Sequence, residues 1–114
     1  MATSTWGYDG DDAERSRDLS RRYGSEYVDL KGFRISEALL KTVPAELMFR
    51  YNFVPLEETR DGKLAIAIAD PSQLLMIDEL KLILNRRIVT KVSTLKQIND
   101  TLTRTEQAHR DKNE

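Results

Sequence analysis

The sequence predicts an α/β fold of the α+β kind: a small sheet of about three strands, mainly antiparallel, packed with several helices. Three observations predict it. Leu64, Ile66 and Ile68 alternate with Ala65, Ala67 and Ala69 in the run from Lys63, the period of a strand with two apolar faces and therefore buried on both. Directly before that run, Thr59-Arg60-Asp61-Gly62 carries the turn chemistry of a hairpin, with Gly62 where positive φ is needed. Directly after it, Asp70-Pro71 opens a helical pattern to about Leu84, and Arg87–Val92 follows as another strand.

In chain order, residues 1–21 read as a flexible or loosely attached leader. Its first ten residues mix small and polar types around Trp6 and Tyr8, aromatics able to dock on the domain or on a partner. From Asp11 to Tyr23 acids come early and arginines late, as a helix dipole favours, with Ala13, Leu19 and Tyr23 the candidates for its buried side and Gly24 the C-cap. Tyr27-Val28-Asp29-Leu30 is a short extended piece, set either at a sheet edge or over the core. Ser36 starts a helical turn whose apolar side is Leu39, Leu40 and Val43. Pro44 starts a further helix to Tyr51, with Leu47, Met48 and Tyr51 on one face. Phe53–Glu58 is a strand feeding the hairpin, and Pro55, which has no N–H, puts it at an edge or leaves the proline facing out.

Asp70 and Gln73 match a capping box for the helix that follows. Its core stripe is Met76, Ile77, Leu80, Ile83 and Leu84. Leu75 and Leu82 lie beside that stripe and flank Glu79. Two readings of them stand open: cover by a helix at 44–51 or 95–102, or a partner-facing apolar strip. Asn85 ends the helix. Thr94 and Gln97 match a second capping box, for a helix with stripe Leu95, Ile98 and Leu102. Residues 103–114 are wholly polar and read as a frayed helical end followed by disorder. The domain proper is placed at 22–102.

A chain of 114 residues with 39% hydrophobic and 32% charged residues suits one domain with a solvated surface. The net charge of -1 provides no overall basic field for nucleic acid, and the strands carry aliphatics rather than base-stacking aromatics. Cysteine is absent and His109 is the single histidine, so thiolate chemistry is excluded and no metal site is expected. No apolar run reaches the roughly 20 residues of a membrane span. Phosphate-loop, dinucleotide-binding, nucleophile-elbow and zinc-protease patterns are all missing, and no acid, base and nucleophile converge, so the domain is expected to be no enzyme and to need no cofactor. Glu57 and Glu58 read as guards of an edge strand. Arg21-Arg22 and Arg86-Arg87 with Lys91 are the basic clusters, either solvated and ion-paired or anion-binding.

Several stretches together resemble a known family. They are Tyr23-Gly24-Ser25-Glu26-Tyr27-Val28-Asp29-Leu30, Val43-Pro44-Ala45-Glu46, Arg50–Leu56, Gly62-Lys63-Leu64, Ala67–Pro71 and Ile77-Asp78-Glu79-Leu80. They resemble the N-terminal domain of the traffic ATPases of type II secretion and type IV pilus assembly, the general secretion pathway protein E family. The resemblance implies a non-catalytic domain ahead of a motor. It implies docking on the cytoplasmic part of an inner-membrane platform protein, on the motor domain, or on both, and a cytoplasmic location that touches the membrane only through a partner. The residues expected to meet that partner are Leu75, Glu79 and Leu82, with Tyr23 and Tyr27 as a second region. One branch, similar to the mannose-sensitive pilus ATPase, binds cyclic di-GMP through a pair of R-L-G-x-x-L-V motifs upstream of the YVDL segment. This chain lacks the pair; Arg22-Tyr23-Gly24 with Val28 keeps part of one, with tyrosine in place of leucine. The alternative expectation is therefore a nucleotide-sensing module using Arg21, Arg22 and Gly24.

Overall fold

The computed structural model describes residues 9–112. Trp6 and Tyr8 lie outside them. The elements are helix α1 (Asp9–Tyr23), α2 (Glu37–Thr42), α3 (Ala45–Tyr51), strand β1 (Val54–Glu58), β2 (Leu64–Ile68), α4 (Leu74–Leu84), β3 (Ile88–Val92) and α5 (Leu95–Lys112).

The α+β class holds, with the alanine–aliphatic run as the central strand: every residue of β2 is buried. Its hairpin to β1 is antiparallel and closes as the turn chemistry requires. Thr59 N–H donates to the Lys63 carbonyl at 2.8 Å, and Gly62 sits at φ +84°. β1 is the edge strand, where Pro55 costs no ladder bond, and a bulge follows between Pro55 and Glu57. On the other side β2 pairs with β3 in parallel, so the sheet is mixed rather than mainly antiparallel. The cause is α4: an eleven-residue crossover helix carries the chain back to the end where β2 began, and β3 must then run the same way. The YVDL segment extends this pattern at the far edge. Tyr27 bridges Val92 in parallel, with Val28 N–H to Val92 O and Val92 N–H to Glu26 O both at 2.8 Å.

Ser36 caps α2 through its Oγ, which accepts from Leu39 N–H at 3.2 Å. Leu39, Val43, Leu47 and Met48 pack with Leu30, Phe53, Ile66, Ile68, Leu80, Ile98 and Leu102 in one core. Asn52 and Asn85 end α3 and α4 in the left-handed conformation, φ 53° and 54°.

Four local expectations change. Asp70 does not cap α4. Its carboxylate accepts from both N–H (2.9 Å) and Oγ–H (2.6 Å) of Ser72, which fixes a turn and delays the helix to Leu74. On α1 the buried residues are Ser16 and Ser20, while Ala13 and Leu19 are half-buried and Tyr23 is 48% exposed. Ser20 returns its hydroxyl to the Arg17 carbonyl at 2.7 Å, so a small polar residue satisfied within its own helix faces the sheet, and α1 lies against β3. Past Leu102 the polar segment continues as α5 to Lys112. Just before it Thr101 is buried, and Thr105 of that segment donates to the Thr101 carbonyl at 2.7 Å. Leu95, expected in the stripe, is half exposed.

Candidate docking surface

Helix α4 needs only one face for the sheet. Ile77 and Leu80 are buried there, and Met76 and Leu84 pack beside them. The opposite face is apolar as well. Leu75 is 84% exposed and Leu82 is 81% exposed, so neither α3 nor α5 covers them. Leu74 is also largely exposed, and Ile83, expected in the core stripe, is half exposed. The late start of α4 contributes to this: a helix beginning at Leu74 rather than Pro71 sets two leucines on its first, outward turn. Between the outer leucines stand Asp78 and Glu79. Lys81 Nζ lies 3.7 Å from Asp78, and the Tyr51 hydroxyl donates to Glu79 Oε1 at 3.1 Å, tying α4 to α3.

The second expected contact region lies across β3. Tyr27 is half-buried, with the Arg17 guanidinium 5.0 Å from its ring centroid. Tyr23 ends α1. Gly24 closes that helix at φ +68°, with Ser25 N–H donating to the Ser20 carbonyl at 2.9 Å. Arg21 and Arg22 both face Asp18, at 3.7 and 3.1 Å; holding a phosphate there requires breaking those pairs.

The other basic cluster is largely committed. Arg86 bonds Glu58 and reaches the Gly62 carbonyl, and Lys91 bonds Glu26 at 2.7 Å. That bond and the lysine charge hold the Glu26 carboxyl below its ordinary value. Lys63, Lys81, Asn85, Arg86 and Arg87 border a shallow depression of about 500 Å3. Asp61 is also held low, by the Thr59 hydroxyl and by Lys63, and Asp29 by the Lys31 N–H and Gln97. Among the described residues no group of three or more metal-ligating side chains gathers, and no helix is long and apolar enough to cross a membrane.

The main structural residue that sequence reasoning missed in its role is Gln97. Its backbone N–H donates to Thr94 Oγ1 at 3.0 Å, half of the expected capping box. Its side chain does not return to Thr94. Oε1 accepts from Leu30 N–H at 2.9 Å and from Ser93 Oγ at 3.0 Å, and Nε2 donates to Asp29 at 2.9 Å. Gln97 thereby pins the YVDL segment to α5.

A family model, the MshEN domain, matches residues 23–112. The chain belongs to the MshEN domain family. The type IV pilus assembly ATPase PilB of Myxococcus xanthus (strain DK1622) is 30% identical over 86 residues, covering 75% of this chain but 15% of PilB. This MshEN domain thus spans about one seventh of that relative's length. The N-terminal domain of XpsE superposes with a TM-score of 0.68 at 21% identity, over 82% of this chain and 65% of that one; in a second crystal form the values are 0.68 and 23%, over 91% and 78%. MshE solved with cdg superposes with a TM-score of 0.70 at 20% identity, over 80% and 66%. The family match and the likeness to a type IV pilus assembly ATPase agree with the resemblance drawn from the sequence.

Proposed function

We propose that this MshEN domain is the docking and regulatory head of a secretion or pilus ATPase, and that the outer face of α4 binds the cytoplasmic domain of an inner-membrane platform protein. The observation that carries this reading is the exposure of Leu75 and Leu82 on a helix whose other face already serves the core. An apolar strip with acids beside it has the make-up of an interface centre and its rim. Tyr23 and Tyr27, across β3, form a second contact region. The domain works in the cytoplasm and reaches the membrane through its partner. Leu75→Asp tests this in a binding titration with the platform domain: affinity falls at least about tenfold, as expected for a charge buried in an apolar contact, while the melting temperature holds. Unchanged affinity refutes the reading, and so does unfolding, which would make Leu75 core. Retained affinity for the platform, with loss of binding to the motor domain instead, moves the site to the motor.

A second reading is a cyclic di-GMP sensor, with Arg21 and Arg22 on phosphate and Gly24 letting the ligand approach. The likeness to MshE solved with cdg supports it. Calorimetry with cyclic di-GMP decides: heat that Arg22→Ala removes upholds the sensor, and no heat well above micromolar protein discards it.

A further inference from the structure

The charges on α4 constrain what can sit on it. At 100° per residue, Leu75 and Leu82 fall within roughly 20° of each other on the outer face, with Glu79 and Asp78 roughly 40–60° to either side. Asp78 is matched by Lys81. Glu79 is not: among the described residues no cation pairs with it. Its only partner there is the neutral Tyr51 hydroxyl, which orients the carboxylate without discharging it.

Those positions argue against a second copy of this chain as the occupant. If two α4 helices meet along Leu75 and Leu82 in antiparallel fashion, Glu79 faces its own symmetry mate. If they run parallel, Glu79 faces Asp78 of the second copy. Either symmetric pairing sets carboxylate against carboxylate beside the apolar seam, a destabilising arrangement. The unpaired Glu79 likewise disfavours an anionic lipid surface. A seam of two leucines seven residues apart, rising roughly 10 Å, instead fits another helix of two to three turns.

We infer that the occupant of α4 is a basic amphipathic helix of the partner protein, with apolar side chains seven residues apart and a lysine or arginine placed to meet Glu79. This rests on the docking reading above. The apolar pair supplies the contact; Glu79, held by Tyr51, sets register and orientation.

Titrations of the platform cytoplasmic domain against the unmodified domain, Leu75→Asp, Glu79→Gln and Glu79→Lys separate the two claims. Melting curves check that each variant folds. Glu79→Gln is expected to bind about threefold more weakly, with a shallower salt dependence, and Glu79→Lys about tenfold more weakly. If Leu75→Asp loses binding while Glu79→Lys binds as the unmodified domain does, the acidic centre is idle: this inference falls and the docking reading stands. If Leu75→Asp binds normally, the docking reading falls with it. Sedimentation showing a dimer that Leu75→Asp dissolves, or binding to anionic vesicles, would overturn the inference in favour of those occupants.

Discussion

Replacing Gln97 with alanine removes one side chain and three hydrogen bonds. The most costly of them is the bond from Leu30 N–H at 2.9 Å. Leu30 is buried, 1% exposed, so its N–H loses its acceptor in a largely dry setting once Oε1 is gone. An orphaned buried donor costs about 1–3 kcal/mol. The bond with Asp29 is exposed and water replaces much of it; the Ser93 hydroxyl, itself buried, also loses an acceptor, and the two together add about 1 kcal/mol. We therefore expect a loss of about 2–3 kcal/mol in urea unfolding. At about 4–8 °C per kcal/mol for a small domain, the melting temperature falls by on the order of 10 °C. Hydrogen exchange supplies the residue-level reading: the Leu30 amide should lose protection well before the β2 amides do. Gln97→Glu keeps the acceptor for Leu30 but turns the Asp29 donor into a second carboxylate. Its cost should appear at neutral pH and shrink on acidification, as one of the two acids takes up a proton. A Gln97→Ala loss below about 0.5 kcal/mol, with the Leu30 amide still protected, would refute the reasoning.

Leu80→Ala and Leu82→Ala compare the two faces of α4. Leu80 is fully buried, so the first should cost about 2–5 kcal/mol in denaturant unfolding, and the second should stay within about 0.5 kcal/mol. At the left-handed end of α4, φ 54°, Asn85→Ala should lower stability by about 1 kcal/mol while Asn85→Gly should at least hold it, read from paired thermal melts. Glu26 predicts an acid limb. Lys91 lowers its folded pKa below the ordinary 4.5, so in acid the unfolded chain binds the extra proton. The stabilisation is then present above that value and lost as the pH falls through it toward the lower folded pKa. Urea midpoints measured across that range should fall less steeply for Glu26→Gln.

What the sequence made legible was whatever one local pattern controls. The alternation from Leu64 to Ala69, the Asp61-Gly62 turn and the serine ahead of α2 each act within a few residues, and each stands where it was read. Misreadings came where two local patterns competed or where the partner was distant. Asp70 had a choice between capping a helix and binding Ser72, and the nearer hydroxyl won. Gln97 fitted a capping box, but the acceptor it provides goes to Leu30, far away in sequence. Ser16 and Ser20 were passed over for the buried side of α1 because polarity hides burial, which Ser20 tolerates by bonding its own helix. The direction of β3 was a topological consequence of the crossover, which no single strand pattern reveals.

Helix α4 joins the fold to the function. A crossover helix lying on one face of a three-stranded sheet requires a single apolar stripe, and Ile77, Leu80 and their neighbours already provide it. In the sequence Leu-Leu-Met-Ile-Asp-Glu-Leu-Lys-Leu-Ile-Leu only three positions carry charge. A helix this apolar on all sides is normally buried all round, yet here the outward leucines are among the most exposed large apolar side chains of the described domain. Folding does not account for them, because replacing Leu82 by alanine removes almost no buried surface. Nor does helix propensity, since lysine or glutamate would serve as well and keep the surface wet. The proposed docking partner would account for them, and the uncompensated Glu79 at their centre sets the sign of charge that such a partner must bring.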